Sequence, residues 1–221
     1  MNIKTNNQTL QKTQAATLAL PMINRQKRRH FKKSQGSFNT QRFFYFILWG
    51  KIKISQINFE TSKEQTLYLL SSGDMFDTTT LLDGKETEYI IEVLSECEVV
   101  EVPIEDIREL LAKDTSFQRF FFPYLAKQLR EMETLAVDLS LYDVYQRLTH
   151  LFAKYVDGET VLPKFKVIEN LSHEELASMV GSVRKVVNRT LQKLKEDGIV
   201  ELSRKQIKLL DLKKLLDKLE Y

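Results

Sequence analysis

Cysteine is almost missing from this chain, in which Cys97 is the single cysteine among 221 residues. One cysteine cannot form an internal disulfide, and it cannot supply the four thiolates that usually hold an iron–sulfur cluster. Because disulfides accumulate in oxidising compartments, a chain without a cysteine pair is typical of the cytosol. We therefore expect a cytoplasmic protein without an iron–sulfur cofactor.

Long hydrophobic runs and a large excess of one charge are missing as well. The apolar stretch TLALPMI (17–23) is too short to cross a bilayer, and no signal-peptide pattern surrounds it, so we expect no membrane partner. A net charge of +3 excludes a polycation that coats nucleic acid along its whole length. It still allows local basic patches, and two stand out, at Arg25–Lys33 and within Gly181–Val200.

The motifs of common enzyme classes are also missing. The sequence has no G-x-x-x-x-G-K-[ST] loop, no G-x-G-x-x-G and no recognisable pairing of nucleophile and base. A metal enzyme of the cupin type needs several histidines or carboxylates on its strands, but His30, His150 and His173 all lie outside the predicted strands. We predict that the chain is not an enzyme and holds no metal.

Residues 43–103 carry short apolar and β-branched runs separated by turn residues, which predicts β-strands. FFYFILW and KIKISQI meet at Gly50, TLYLL (66–70) follows, SSGDMFD is predicted as a loop, and EYIIEVLSECEVVEVP contains two strands. Short strands with frequent turns predict a β-sandwich or barrel. After Pro103 the pattern becomes helical, beginning with IEDIRELLAKD.

One narrow apolar stripe runs along the long helical segment that follows, at spacings of 3, 4, 3, 4 and 3. This is a heptad pattern, and so narrow a stripe favours pairing of two helices over packing on the chain's own β-domain, which normally uses a wider face. The second arrangement stays open as the alternative. The predicted dimer interface consists of Phe122, Leu125, Leu129, Met132, Ala136 and Leu139.

Two helices joined by a glycine are predicted in the last third of the chain. Ser172 and Glu175 form the S-x-x-E pattern of a capping box at the start of the first helix. Its inward face is predicted to consist of Leu176, Ala177 and Val180. Gly181 allows the sharp turn that follows, because glycine reaches backbone angles that other residues avoid.

The second helix is predicted to have one apolar face and one polar, basic face. The buried set is expected to be Val183, Val187, Leu191 and Leu194. This arrangement is typical of a DNA-binding helix-turn-helix, in which arginine donates two bonds to guanine and asparagine pairs with adenine. The alternative is a helical bundle with a solvated basic face. The predicted DNA contacts are Ser172, Ser182, Arg184, Lys185, Asn188 and Arg189.

A β-hairpin is predicted directly after this helix, with Val200 and Leu202 facing Ile207 and Leu209. A hairpin in this place is the wing of a winged helix. Arg204 and Lys205 between its strands suit contacts to DNA phosphates.

This order of elements resembles the Crp/Fnr family of transcription regulators over residues 43–211. The likeness is most specific in LSHEELASMVGSVRKVVNRTLQKLKEDGIV (171–200), while YFILWGKIKIS resembles two β-roll strands and LSLYDVYQRL resembles the family's hinge. The resemblance implies an α+β fold with a β-roll of the cyclic-nucleotide-binding jelly-roll type in 1–112, a dimerisation helix in 113–142 and a winged helix-turn-helix in 143–221. It also implies a homodimer that binds a two-fold operator in double-stranded DNA and contacts RNA polymerase.

The chain departs from the family pattern at the effector pocket and on the recognition helix. Members that bind cyclic nucleotides have a Gly-Glu pair and then an arginine for the phosphate, whereas this chain has Asp77-Thr78 and Thr87-Glu88-Tyr89. We therefore expect no cAMP binding; the β-roll resembles that of cyanobacterial nitrogen regulators, whose pockets also lack this arginine. Lys185 stands where the family has glutamate, so the preferred base should differ.

We therefore favour control of DNA binding by an effector other than cAMP, sensed in the β-roll. Its predicted pocket residues are Asp77, Thr78, Thr79, Thr87 and Met132. One alternative is a constitutive DNA-binding regulator with a ligand-free β-roll. Another is a haem-based gas sensor of the same family, with His30 as the axial ligand. The sequence assigns no role to the basic segment Arg25–Lys33.

Overall fold

A computed structural model describes residues 26–157, 164–203 and 206–219. These residues form two compact units. The first contains residues 26–56 and 67–131, and the second contains residues 57–66 and 132–219. Among the helices in the described ranges, none combines the length and the apolar character that a bilayer span requires.

Seven strands in two sheets build the first unit, except that the ends of β3 and β4 on either side of the turn between them belong to the second unit. The strands are β1 (Lys27–Phe31), β2 (Phe43–Trp49), β3 (Ile52–Asn58), β4 (Lys63–Leu70), β5 (Met75–Phe76), β6 (Ile90–Val93) and β7 (Cys97–Pro103). One sheet has the order β1–β7–β2–β5 and the other the order β4–β3–β6. The strands predicted within 43–70 and 90–103 are confirmed, as is the turn at Gly50, whose φ is +101°.

Two apolar clusters fill this unit, and β2 contributes to both because successive side chains of a strand point to opposite faces. Tyr45 and Ile47 belong to a cluster with residues of β3, β6 and β7. Phe44 and Phe46 belong to a second cluster, which is covered by α2 (Ile104–Lys113) and by the start of α3 (Thr115–Leu141). The continuous apolar run of β2 thus follows from burial on both faces.

No secondary structure was predicted for the basic segment Arg25–Lys33. Residues Lys27–Phe31 within it nevertheless form the strand β1, which is antiparallel to β7. Arg29 Nη1 donates to Glu101 Oε1 at 2.7 Å, and Glu101 is only 4% exposed. Phe31 is buried in the core, while His30 lies on β1 and contradicts the expectation that all three histidines lie outside strands. Four consecutive basic residues (27–30) hid the strand from a pattern search based on apolar alternation.

The segment predicted as one loop contains β5 and is followed by a short helix, α1 (Thr78–Asp83). Both were missed. A two-residue strand is too short to show a period, but α1 carries the usual end signals. Asp77 is its N-cap, and Gly84 ends it in the left-handed region, at φ +71°.

The second unit contains the C-terminal helices and two small sheets. Its elements are α4 (Val144–Lys154), β8 (Val156–Asp157), β9 (Lys164–Phe165), α5 (His173–Met179), α6 (Arg184–Glu196), β10 (Val200–Ser203), β11 (Gln206–Leu209) and α7 (Leu212–Asp217). Asp143 and Gln146 form a capping box at the start of α4. The long helix α3 begins in the first unit and ends in the second.

Candidate nucleic-acid interface

The first helix of the predicted pair begins as its sequence indicated. Ser172 Oγ accepts a hydrogen bond from Glu175 N at 3.1 Å, and the Glu175 carboxylate accepts one from Ser172 N. The capping box is therefore confirmed, and it satisfies two backbone donors that a helix start leaves open. The predicted inward face of this helix is confirmed as well, because Leu176, Ala177 and Val180 are all buried.

Gly181 forms the turn between the two helices. Its φ is +59°, in the left-handed region that glycine adopts most readily. A Cβ at this position would lie 2.5 Å from Leu139 Cδ2 and 2.8 Å from Gln65 Oε1. Glycine is therefore favoured here by the backbone angle, and any larger residue would also displace the ends of these two side chains.

The second helix of the pair, α6, packs on the rest of the second unit through its apolar face. Val187, Leu191 and Leu194 are fully buried, as the sequence predicted. The prediction was wrong for Val183, which is 51% exposed. Val183 is the N-cap residue, with extended backbone angles of φ −110° and ψ 148°, so its side chain does not follow the phase of the helix that starts at Arg184.

The outer face of α6 presents its polar side chains to solvent. Arg184, Lys185, Asn188 and Arg189 are exposed, while Ser182 in the preceding turn is half-buried. Within the described residues, none of these four exposed side chains makes a hydrogen bond or an ion pair. The first two turns of α6 thus carry three cations and an amide that are free to bind a partner.

The C-terminal end of α6 is anchored by contacts that the sequence did not reveal. Tyr145 on α4 donates a hydrogen bond to Asp197 Oδ2 at 2.7 Å, and Lys193 Nζ lies 4.7 Å from the centre of the Tyr145 ring. Burial, together with the bond to Asp197, raises the pKa of Tyr145 above its usual range. Because these partners lie far apart in the chain, no local spacing could have indicated them. They fix the end of the helix opposite to the exposed basic turns.

The predicted wing hairpin is confirmed. The strands β10 and β11 are antiparallel, and Val200 faces Leu209 while Leu202 faces Ile207. Arg204 and Lys205 lie outside the described residues. The hairpin packs through Val200 and Ile207, both of which are buried.

The predicted dimer seam lies on a helix that uses a different stripe for its own core. In the first unit, α3 buries Phe117, Phe121 and Gln128. Phe122 and Leu129 on the seam are 53% and 61% exposed, whereas Leu125 packs partly against the core. In the second unit, Met132 is half-buried, and Ala136 and Leu139 are exposed. Most of the stripe is therefore open to solvent in the single chain.

Three of the polar side chains predicted to line the effector pocket, those of Asp77, Thr78 and Thr79, have hydrogen-bond partners within the first unit. Asp77 accepts from Thr79 Oγ1 and from Thr80 Oγ1, each at 2.7 Å, and it caps α1. Thr78 Oγ1 donates to Gln128 Oε1 at 2.7 Å. Thr87 is half-buried, and it makes no hydrogen bond with a described residue. Met132, the fifth predicted pocket residue, belongs to the second unit.

The bond from Thr78 continues into α3 through a buried tyrosine. Gln128 Nε2 donates to the Tyr124 hydroxyl at 3.1 Å, and this hydroxyl donates to Met75 O at 3.1 Å. Burial raises the pKa of Tyr124 well above its usual range, so the phenol stays neutral and keeps its proton for this bond. The chain of bonds joins the loop to α3.

Histidine and acidic side chains do not assemble into a metal site in the part of the chain that the structure describes. His30, the predicted haem ligand of one alternative, is exposed on β1. Its ring lies 5.3 Å from that of Trp49. His150 Nδ1 and Asp138 Oδ1 form a hydrogen bond of 2.8 Å. His173 is the first residue of α5.

Comparison with known proteins places these observations in a family. A model described as a Crp-like helix-turn-helix domain matches residues 146–218. A model described as a cyclic nucleotide-binding domain matches residues 34–114. The two matches cover the β-roll and the helix-turn-helix with its wing, and they occur in the order that the sequence predicted.

Relatives and a solved structure agree with these matches. The chain is 26% identical over 173 residues to a global nitrogen regulator of Nostoc sp., covering 74% of each protein. It is 27% identical over 158 residues to the cyclic AMP receptor protein of Thermus thermophilus, covering 72% of this chain and 70% of that protein. The fold is similar to that of the c-di-GMP responsive global regulator CLP of Xanthomonas campestris, with a TM-score of 0.71 and 22% identity over 89% of this chain and 99% of that chain. With its cyclic nucleotide-binding domain and Crp-like helix-turn-helix, the chain belongs to the Crp/Fnr family of DNA-binding transcription regulators.

Proposed function

We propose that this protein regulates transcription as a homodimer that reads a two-fold operator through α6. The observation that carries the proposal is the exposed polar face on the first two turns of this helix. Arg184, Lys185, Asn188 and Arg189 are solvent-exposed, while the opposite face of α6 is fully buried. Held on the unit by one face, the helix can enter the major groove with the other.

The base contacts follow from the chemistry of these side chains. An arginine donates two parallel bonds to O6 and N7 of guanine, and an asparagine matches N6 and N7 of adenine. We assign base reading to Arg184 and Asn188. Lys185 is a donor only, so it suits guanine or thymine oxygens and cannot accept from cytosine, as a glutamate could.

Phosphate contacts are expected around this reading face. Ser172 lies at the exposed N-terminus of α5, and Ser182 lies in the turn before α6. The hydroxyl groups of both serines can donate a hydrogen bond to a phosphate oxygen. Arg189 on α6 and, from the sequence, Arg204 and Lys205 in the wing add positive charge for the same purpose.

The dimer is supported by the exposed stripe on α3. A side chain the size of leucine that is 61% exposed, as Leu129 is, gains free energy when a second copy covers it. A parallel pair of α3 helices would give the protein two reading helices related by a two-fold axis. Half-sites then repeat about 34–36 Å apart, one turn of DNA. Regulation from such an operator is expected to involve contact with RNA polymerase.

Selection of bound duplexes from a random pool tests this function most directly. The purified protein should enrich a two-fold sequence whose half-sites are separated by about one helical turn. Hydroxyl-radical footprinting should then show two protected stretches on one face of the duplex. Enrichment of no sequence, or of a single unrepeated half-site, would contradict the proposal.

Control of DNA binding has two candidate forms. The sequence favours an effector other than cAMP, held by Asp77, Thr78, Thr79, Thr87 and Met132. The hydrogen bonds of Asp77 with Thr79 and Thr80, and of Thr78 with Gln128, favour the second form, in which the β-roll acts without a ligand. The affinity for the selected operator, measured with and without a small-molecule fraction of cell extract, separates the two. An increase of tenfold or more with the extract supports an effector.

A further inference from the structure

Residues 57–66 are remote in sequence from the rest of the second unit, yet they pack within it. They include the turn between β3 and β4, where Phe59 is exposed. The last two residues of this segment contact the end of α5 and the turn that leads into α6.

The first of these contacts is a buried pair of hydroxyl groups. Thr66 Oγ1 lies 2.9 Å from Ser178 Oγ, and both residues are buried. Ser178 Oγ already donates to Glu175 O at 2.9 Å. Because a hydroxyl has one proton, Thr66 must donate and Ser178 must accept in this pair. Neither group can turn to water without leaving the interior, so the bond is directional and specific.

The second contact comes from the neighbouring glutamine. Gln65 Nε2 donates to Thr66 O at 2.9 Å and to Met179 O at 3.4 Å. Met179 is the last residue of α5, where a helix leaves carbonyl groups without an intrahelical donor. The amide oxygen of the same side chain lies beside Gly181, 2.8 Å from the place where a Cβ would be. Gln65 therefore touches both the helix end and the turn.

We propose that Gln65 and Thr66 are positioning residues for DNA binding, which hold the end of α5 and the Gly181 turn and so fix the direction of α6. The proposal rests on the DNA-binding function proposed above. The contacts lie on the buried side of α5, so the polar face of α6 stays open while its backbone is held. A helix that is held in the reading direction before binding loses less freedom when DNA arrives.

The test uses the full-length dimer, the selected operator and a scrambled duplex of the same composition. Thr66→Val keeps the shape of the side chain and removes its donor, Thr66→Ser restores the donor, and Thr61→Val is the control at an exposed position of the same turn. We expect Thr66→Val to lower operator affinity by about threefold to tenfold, the range of a single lost hydrogen bond. Scrambled-duplex affinity should stay within about twofold, and the serine and Thr61 variants should match the unaltered protein.

Ser178→Ala removes this bond together with the bond to Glu175 O, so it should lower operator affinity at least as much as Thr66→Val does. Adding Thr66→Val to Ser178→Ala should lower the affinity no further, because the shared bond is already lost. Additive losses would overturn the assignment, as would an equal loss on operator and scrambled DNA. Hydrogen exchange of the backbone amides tests the positioning role in the absence of DNA. Val180 N bonds to Leu176 O and Ser182 N to Ala177 O, and Thr66→Val should speed exchange at both while Leu191 and Leu194 stay protected.

The two proposals fail in different ways. If the unaltered protein selects no DNA sequence, the proposed function is wrong, and the role of these residues in DNA binding is wrong with it. If the unaltered protein selects an operator while Thr66→Val shows normal affinity and normal exchange, the positioning role alone is wrong.

Discussion

Two segments of this protein are rich in polar side chains but use them in opposite ways. One is the predicted effector loop, whose residues 77–80 form the start of α1, and the other is the first two turns of α6. In the loop, Asp77 caps its own helix, and Thr78 bonds to Gln128 on α3. On α6, Arg184 and Asn188 are exposed, and neither has a hydrogen-bond partner among the described residues. Polar groups with internal partners build the fold, whereas exposed groups on a rigid helix are available to another molecule.

The existing partners of a polar side chain also affect the free energy that a ligand gains by binding to it. A ligand that entered the loop would first have to break bonds such as Thr78–Gln128, and it would gain only the difference between its own bonds and those lost. DNA at α6 would displace water alone, and its phosphates would gain cations. A polar residue in a pocket is thus a weak indication of a ligand until its existing partners are known.

The largest effect is expected at the exposed stripe of α3. Leu129→Lys places a charge where two helices should meet, and burying an unpaired charge costs several kcal/mol. The variant should sediment as a monomer at micromolar concentration and lose operator affinity by about 100-fold, because each copy then holds one half-site alone. Val137→Lys is the control, since Val137 is 46% exposed and lies outside the heptad positions. An unaltered protein that is monomeric at that concentration would contradict the seam.

Arg184→Ala tests whether the exposed polar face of α6 reads DNA bases. Loss of a two-bond contact to guanine should weaken operator binding by about 1–3 kcal/mol and relax the preference at one base pair of each half-site. Lys195→Ala removes an exposed charge from the last turn of the same helix and should weaken all duplexes slightly. Competition binding against single-base variants of the operator measures both. A loss for Arg184→Ala that is equal on operator and scrambled DNA would make Arg184 a phosphate contact and move base reading to Lys185 or Asn188.

Thr78→Val tests whether the hydrogen bond between the predicted effector loop and α3 stabilises the fold. Removing this hydroxyl leaves the buried Gln128 carbonyl oxygen without its donor, which should lower the free energy of unfolding by about 1–2 kcal/mol. Thr87→Val is the matched control, because Thr87 makes no hydrogen bond with a described residue, and its effect should stay within about 0.5 kcal/mol. Denaturant unfolding followed by tyrosine fluorescence gives both values. Equal effects of the two changes would mean that the Thr78 bond contributes nothing to stability.

The smallest effect is expected from cAMP. The loop has no arginine for the phosphate, and Glu88 next to Thr87 is an exposed negative charge that repels an anion. Calorimetric titration with cAMP should show no binding with a dissociation constant below about 1 mM. Adenosine, which has no phosphate, is the control ligand. A micromolar dissociation constant would show that another cation, from elsewhere in the chain or from the second copy, completes the pocket.

Local patterns allowed much of this structure to be predicted from the sequence. The capping box at Ser172, the Gly181 turn and the pairing of Val200 with Leu209 all depend on residues close in the chain. The fold class and the family followed from the order of these elements. The face of α6 was predicted correctly except at Val183, because the helix begins one residue later than the apolar spacing suggested.

The missed features depend on partners that are distant in sequence. Nothing near Arg29 indicates that its charge is needed at Glu101, 72 residues away. The bond between Thr78 and Gln128 likewise spans 50 residues, so the threonine looked like a free pocket side chain. Tyr145 and Asp197, which anchor α6, are 52 residues apart. Polar partners of this kind leave no periodic pattern, whereas apolar faces do.

The strand β1 determines how deletions at the N-terminus of this protein should be interpreted. A variant trimmed past Phe31 would lose the cation that pairs with Glu101, and the buried Glu101 carboxylate would be left without this partner, which lowers the free energy of unfolding. It would also uncover the ring of Phe38, which packs on Phe31 and Tyr45. Weaker DNA binding in such a variant would therefore report a damaged β-roll, even though the deleted segment has the composition of a nucleic-acid-binding arm.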